Sequence, residues 1–277
     1  MIRIHGAQSA LTAALYESFS ARGKHVNVAP PELSASSLFS GEEEVPDMVI
    51  ILPPEADLDR AEDHREECYS KTSTLTRGIA KAAAEKGIPV FFISSVYVFG
   101  GRESEPYTEN ASPAPISVYG DACMLAERYL IESGAPFTII RSGELLGMGD
   151  WDISVLLNRF QGSDSVPVLS GTVTPARTSS LAEAVALLAA QSARGIYHYA
   201  ASGAASRLEI MEYLFSRLRE REGMGTLPPL KETAREDVPL GADRLQWSVL
   251  DTGRLRTDFS IEPESWQDAA MGFLDTL

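Results

Sequence analysis

The sequence predicts an α/β fold, a doubly wound parallel sheet with helices on both faces and a smaller second part. Short apolar runs of strand length recur at Met1–His5, His25–Ala29, Met48–Leu52, Pro89–Ser95 and Pro136–Arg141. Between most of them lie segments with apolar residues at helical spacing, and strand–helix alternation requires crossovers that make a sheet parallel. With 277 residues, 44% of them hydrophobic and 23% charged, the chain is long enough to cover both faces of such a sheet.

The elements follow in order. Met1–His5 alternates around Ile2 and Ile4 and reads as the first strand. Gly6-Ala-Gln-Ser-Ala-Leu-Thr12 leads into a helix with Leu11, Ala14, Leu15 and Phe19 on its apolar side. Strand, turn and helix in this order are where a dinucleotide-binding fold puts its glycine-rich loop. After the second strand, Pro30 to Pro46 reads as a loop, and its acidic run Glu42–Glu44 as a solvated connection. Met48–Leu52 ends at Pro53-Pro54, which remove backbone donors and stiffen the turn. Asp57 to Cys68 and Ser70 to Lys86 read as helices. Pro89–Ser95 reads as a buried strand ending in two hydroxyls, Ser94 and Ser95. From Ile116 to Ser133 the spacing is helical, with Ile116, Tyr119, Cys123, Ala126 and Leu130 roughly on one face. A strand that delivers a hydroxyl, followed by a helix that delivers a tyrosine, is a site geometry.

Beyond Arg141, Trp151–Phe160 is expected as a short helix, Val166–Leu169 and Gly171–Thr178 as extended chain, Ser180–Ser192 as a helix and Gly195–Ser202 as a late strand. Arg217–Glu222 reads as a solvent-facing helix end, and 223–240 as a loop. The expected division is 1–149 with 178–202 as the main body, and 150–177 with 203–277 as the smaller part.

The net charge of −15 argues against nucleic acid and anionic membranes as partners. Cys68 and Cys123 are too few for a disulfide framework or a cysteine-rich metal site. His5, His25 and His64 show no ligand spacing, and no metal is assigned. His198, in Tyr-His-Tyr, reads as a strand residue with a local hydrogen bond. No apolar run approaches a membrane span and no signal pattern opens the chain, so a cytoplasmic protein is expected.

The stretch from Phe91 to Tyr129 resembles the extended short-chain dehydrogenase/reductase superfamily, and most of all the dTDP-4-dehydrorhamnose reductase family. Thr174-Pro-Ala-Arg-Thr178, Gly195-Ile-Tyr-His198 and Trp247-Ser-Val-Leu-Asp-Thr-Gly-Arg-Leu255 extend the resemblance over nearly the whole chain. It is specific in the second half of the sheet and poor in about the first 60 residues. It implies a Rossmann-type core with a C-terminal substrate-binding part, and NAD(P)-dependent reduction of a keto-sugar nucleotide or similar carbonyl. In the family the strand ends in a Ser/Thr that holds the substrate carbonyl, and the helix carries Tyr-x-x-x-Lys. Ser95 and Tyr119 fall on the hydroxyl and the tyrosine. The lysine position is Cys123, and Val96 stands where an Asp is often found. By the same resemblance Gly6, Gln8, Ser9, Ala10, Leu11, Pro53 and Ser94 belong to the cofactor side. Tyr97 and Arg177 belong to the substrate side, where Arg177 faces an anionic sugar nucleotide or forms a structural ion pair.

The departures cluster on the cofactor side. Of the superfamily's Gly-x-x-Gly-x-x-Gly only Gly6 remains, with Ser9 and Thr12 at the other places. Ser9 adds a Cβ where pyrophosphate approaches, or serves as a plain helix cap; Thr12 adds a branch where helix and strand pack closely. Ala29-Pro30-Pro31 offers neither the acidic residue nor the Arg that reads the ribose, and Glu32 is a displaced substitute. The family usually places an Asn near Ser70. A free phenol has a pKa near ~10; the family lysine, four residues on, lowers it, and Cys123 supplies no charge. Tuned acid–base catalysis is worth roughly 10²–10⁴-fold, and Lys71 is the one lysine offered in compensation. NAD or NADP is therefore expected to bind weakly or not at all. Two readings stay open: a reductase acting on a small-molecule substrate such as a nucleotide sugar, or a catalytically degenerate member. The latter would bind a ligand or partner protein as a regulatory or structural subunit, as the superfamily's regulatory subunit of methionine adenosyltransferase does. A homodimer fits either.

Overall fold

The structure, a computed structural model, describes residues 1–30, 34, 37–39, 45–53, 57–160, 164–220 and 227–277. Glu32, Glu42–Glu44, Pro31 and Pro54 lie outside the described residues. The chain runs β1 (Ile2–His5), α1 (Ala10–Ser20), β2 (Val26–Ala29), β3 (Met48–Ile51), α2 (Leu58–Asp63), α3 (Arg65–Tyr69), a π-helical turn (Ser70–Thr74) and α4 (Leu75–Lys86). Next come β4 (Val90–Ser95), α5 (Val118–Glu132), β5 (Phe137–Ser142), β6 (Glu144–Leu145), α6 (Ile153–Arg159), β7 (Val166–Leu169), β8 (Thr172–Val173), β9 (Pro175–Ala176) and α7 (Thr178–Ala190). The last are β10 (Gly195–Tyr199), β11 (Ala205–Ser206), α8 (Arg207–Arg219), β12 (Leu230–Thr233), β13 (Trp247–Ser248), α9 (Gly253–Phe259) and α10 (Trp266–Leu274).

Six strands form one parallel sheet in the order β10-β5-β4-β3-β1-β2, as the strand–helix alternation predicts. Its faces follow the two-residue period of a strand. Ile4, Ile50, Phe91 and Ile93 pack with Leu11 and Leu15 of α1 and Leu181 and Val185 of α7. Val49, Ile51, Val90 and Phe92 point the other way, onto Ile79 and Ala83 of α4 and Ala126 and Leu130 of α5. The strand order reverses between β1 and β3, and the crevice outside their carboxyl ends is where such sheets take ligands. The open edge at β10 is covered: the His198 N–H donates to the Glu109 carboxylate at 3.2 Å, and His198 Nδ1 meets the Tyr107 carbonyl at 3.1 Å.

A second apolar cluster gathers Trp151, Val168, Val173, Ile210, Leu214, Phe215 and Phe273 from α8, α10 and the short strands. Here the structure departs from the sequence reading. The stretch 223–240, read as a loop, contains β12, paired in parallel with β7. Its Lys231 and Glu232 are exposed, so no apolar run marks it. The single helix expected over Asp57–Cys68 breaks at His64 (φ −122°, ψ 50°) into α2 and α3. The helix expected from Ser70 opens with the π turn, where Ser73 Oγ donates back to the Tyr69 carbonyl at 2.9 Å and Thr76 Oγ1 to that of Thr72 at 2.6 Å.

Candidate functional site

The candidate site lies where β4 ends and α5 begins. Ser95 leaves β4 in extended backbone, and its Oγ accepts from the Tyr97 N–H at 3.3 Å. Ser117 caps α5, accepting from the Gly120 N–H at 3.2 Å. Glu62 of α2 takes the Val118 N–H at 2.8 Å. Gly120 permits the approach, since a Cβ there would sit 2.1 Å from the Tyr97 carbonyl oxygen. The first turn of α5 therefore rests on the backbone after β4, and the Tyr119 side chain lies buried close to both Ser95 and Cys123. Tyr97 sets its ring edge-on to Tyr119, with centroids 6.3 Å apart. Burial, then Cys123, pushes the Tyr119 phenol well above its ordinary range, against the opposing hydrogen bond from Ser95. Burial and the Glu127 carboxylate push the Cys123 thiol well up. The partner four residues after the tyrosine is thus a neutral thiol.

One turn further along α5, Glu127 pairs with Arg141 at 2.7 Å, both buried, and accepts from Ser94 Oγ. Ser94, assigned by resemblance to the cofactor side, turns into this network. Arg141 also reaches the Glu109 carbonyl at 3.4 Å and lies 5.1 Å from the centre of the Phe99 ring. Lys71 does not take the lysine's place: it is exposed on the surface and pairs with Glu67 at 2.6 Å. Ser70 is exposed. His198 is buried; burial and Arg141 hold it down to about 3, so it is a neutral, structural residue.

On the cofactor side, Gly6 is required by close approach, as a Cβ would lie 2.6 Å from that of Leu52. Ser9 is the N-cap of α1: its Oγ accepts from the Thr12 N–H at 3.2 Å, while Thr12 Oγ1 donates to the Ala7 carbonyl at 2.6 Å. The end of a helix that ordinarily receives phosphate is partly filled by its own side chains. Gln8 and Ala10 are exposed at the mouth, Pro53 is half-buried beside it, and the Leu11 side chain belongs to the core. The crevice and the Gly6 turn fit a dinucleotide in outline.

On the other side, Tyr97 lies buried beside a group of charges. Glu144 and Arg207 form a buried pair at 2.6 Å, and Glu144 accepts from Trp151 Nε1 and Ser248 Oγ, each at 2.8 Å. Arg244 is buried between Asp150 at 2.6 Å and Asp59 at 2.9 Å. A cavity beside them is walled by Trp151, Leu156, Val168 and Met211, with Asp150 and Arg207 as polar members. Arg177 pairs with Glu264 at 2.8 Å and lies against Gly272 of α10; of the two alternatives, the structure shows the ion pair. Among the described residues, no His/Cys/Asp/Glu cluster could hold a metal, and no helix is long and apolar enough to cross a membrane.

The model of the RmlD substrate binding domain family matches residues 1–277. The chain belongs to that family. It is similar to the dTDP-4-dehydrorhamnose reductase of Sinorhizobium fredii (strain NBRC 101917 / NGR234), 29% identical over 81% of this chain and 78% of that protein. The Escherichia coli (strain K12) enzyme of the same name is 26% identical over 84% and 80%. The spore coat polysaccharide biosynthesis protein SpsK of Bacillus subtilis (strain 168) is also 26% identical, over 83% and 79%. The crystal structure of dTDP-4-dehydrorhamnose reductase from Bacillus anthracis, in complex with NADP, superposes with a TM-score of 0.88 at 22% identity, covering 100% of this chain and 99% of that one. At that identity it shows the fold, a Rossmann-like parallel sheet shared across the family.

Two groups escaped the sequence reading. Glu127 was discoverable, four residues after Cys123 and therefore on the same helix face. The Asp59–Arg244–Asp150 cluster was not, because Asp59 and Arg244 are 185 residues apart and surface-type charges carry no pairing signal.

Proposed function

We propose that the protein is a slow carbonyl reductase acting on a sugar nucleotide of the 4-keto type. The dinucleotide side is formed by 1–149 and 178–202, and the substrate side by 150–177 and 203–277. The observation that carries this reading is the meeting of Ser95, Tyr119 and Tyr97 at the end of β4. The names of the family relatives support the substrate class.

A nicotinamide dinucleotide in the crevice between β1 and β3 would supply the hydride. The chain does the rest. Ser95 holds the carbonyl oxygen by hydrogen bonding, and Tyr119 gives its proton to that oxygen. A phenol raised above its ordinary range is always protonated at neutral pH but is a reluctant acid. Reduction is therefore slow, and the reverse reaction, which needs a phenolate, is slower still. Ser9 and Thr12 weaken the hold on either NAD or NADP, and Ala29-Pro30 leaves no strong preference between them. The test is NADPH oxidation driven by dTDP-4-dehydrorhamnose. The wild type should turn over, Tyr119→Phe should not, and Cys123→Ala should change little. Turnover that survives Tyr119→Phe refutes the assignment.

A second reading is favoured by Cys123 together with the Ser9 cap: a member that holds the sugar nucleotide without turnover. Calorimetric binding of dTDP with no NADPH or NADH oxidation selects it.

A further inference from the structure

We infer that helix α2 is a positioning element for the site. Through Asp59 it locks the segment 240–248 as a strap across the cleft, and through Glu62 it sets the start of the helix that carries Tyr119. The inference rests on Tyr119 marking the site, and it holds whether the site reduces a carbonyl or only binds one.

The strap is fastened at successive points. The Ala242 N–H donates to Asp59 Oδ1 at 2.8 Å. Arg244 Nη1 and Nη2 donate to the two Asp59 oxygens at 2.9 and 3.2 Å, and Nε and Nη2 to Asp150 at 2.6 and 3.1 Å. The Leu245 carbonyl accepts from Arg207 Nη1 at 2.9 Å, and the Trp247 N–H donates to the Gly101 carbonyl at 3.1 Å. The fit over Gly101 is close: a Cβ there would lie 2.9 Å from Leu245 Cα. Beneath the strap, Ala242 and Leu245 join Leu58 of α2, Tyr97 and Cys123 in one buried apolar cluster against which Tyr119 packs.

Asp59 and Glu62 are three residues apart, so one turn of α2 carries both carboxylates. One holds the strap and the other takes the first free amide of α5, at Val118. A shift of the strap therefore pulls on the helix that holds Tyr119. The guanidinium is the part that makes the lock specific. It is planar and spans two carboxylates with paired hydrogen bonds, which a lysine cannot do. The Arg244 side chain is only 4% exposed, whereas Asp59 and Asp150 are 30% and 35% exposed, so water and salt reach the lock from the carboxylate side.

The test is the rate at which iodoacetamide alkylates Cys123 in the full native chain, read by peptide mass spectrometry, with Cys68 as internal control. It needs neither cofactor nor substrate, so its outcome is separate from that of the turnover assay. Arg244→Met and Arg244→Lys should each speed Cys123 labelling about tenfold while Cys68 stays slow. Glu62→Ala should speed it less, and Glu62→Gln, which keeps the acceptor, should label like wild type. In the wild type, 1 M NaCl should speed Cys123 labelling by screening the carboxylates, and Arg244→Met should not respond further. Equal protection of Cys123 in wild type and Arg244→Met overturns the inference. So does parallel acceleration of Cys68 and Cys123, which reports loss of the fold rather than release of the strap. A salt effect that is the same in both proteins also overturns it.

Discussion

The two ends of the crevice have diverged from the family pattern in different ways. At the end of β4, Ser95, Tyr97 and Tyr119 lie together, and the exchanged positions are Val96 and Cys123. At the start of α1, Gly6 alone is kept, and Ser9 and Thr12 hydrogen-bond to each other's surroundings. Three of the exchanged residues each find a partner inside the protein. Ser9 caps a helix, Thr12 ties down the Ala7 carbonyl, and Cys123 meets Tyr119. A turn that satisfies its own donors is stable without a ligand, whereas a glycine turn leaves them for phosphate. The contrast is between a site built to meet something and a turn that has partly met itself.

The largest expected effect lies under the better-kept end. Glu127→Ala leaves Arg141 buried without its carboxylate, and removing one partner of such a pair costs about 3–5 kcal/mol. Urea unfolding should show a loss of that order. A loss under about 1 kcal/mol would mean that water reaches Arg141 and that the network does not hold β4 to α5. A second effect, on rate, concerns the missing charge. In a Ser9→Gly/Thr12→Gly background, Cys123→Lys should raise turnover by roughly 10²-fold, since an ammonium beside the phenol favours its ionisation. In that background the activity should also gain an alkaline decline that the wild type lacks below about pH 9, because the phenol raised by burial stays protonated there. A wild-type profile already falling between about pH 7 and 9 contradicts the neutral-thiol account.

The smallest effect is on stability at high pH. Tyr69, which donates to Asp121 at 2.6 Å, is pushed up to about 12, chiefly by burial and then by that hydrogen bond. Its folded pKa exceeds the unfolded value of about 10. Its contribution is therefore complete below pH ~10 and lost as pH rises toward 12. Tyr69→Phe should lower the melting temperature slightly at neutral pH and make its fall over that interval shallower. An unchanged slope removes Tyr69 from the account.

The sequence made the sheet legible because its strands are buried on both faces, and continuous apolar runs such as Phe91-Phe-Ile93 have no competing reading. The nearness of Ser95 and Tyr119 was legible because their strand and helix are consecutive elements of the chain. What was not legible depended on distant pairing. β12 is charged and extended only because β7 lies beside it. The bond from Ser94 to Glu127 was not legible, because the two lie 33 residues apart. Arg177 could face ligand or carboxylate until Glu264 was placed next to it. Only the fold brings Asp59 to Arg244.

On the proposed function, Ser9 and Thr12 partly close the dinucleotide turn while the crevice remains. Fluorescence titration of NADPH and NADH against the wild type and Ser9→Gly/Thr12→Gly tests it most directly. The account predicts weak binding to the wild type with little preference between the two, and binding about tenfold tighter in the double variant. That gain should exceed any produced by Cys123→Lys alone. Tight binding by the wild type, or a dinucleotide carried through purification, would contradict it, because the turn would then accept pyrophosphate past both side chains.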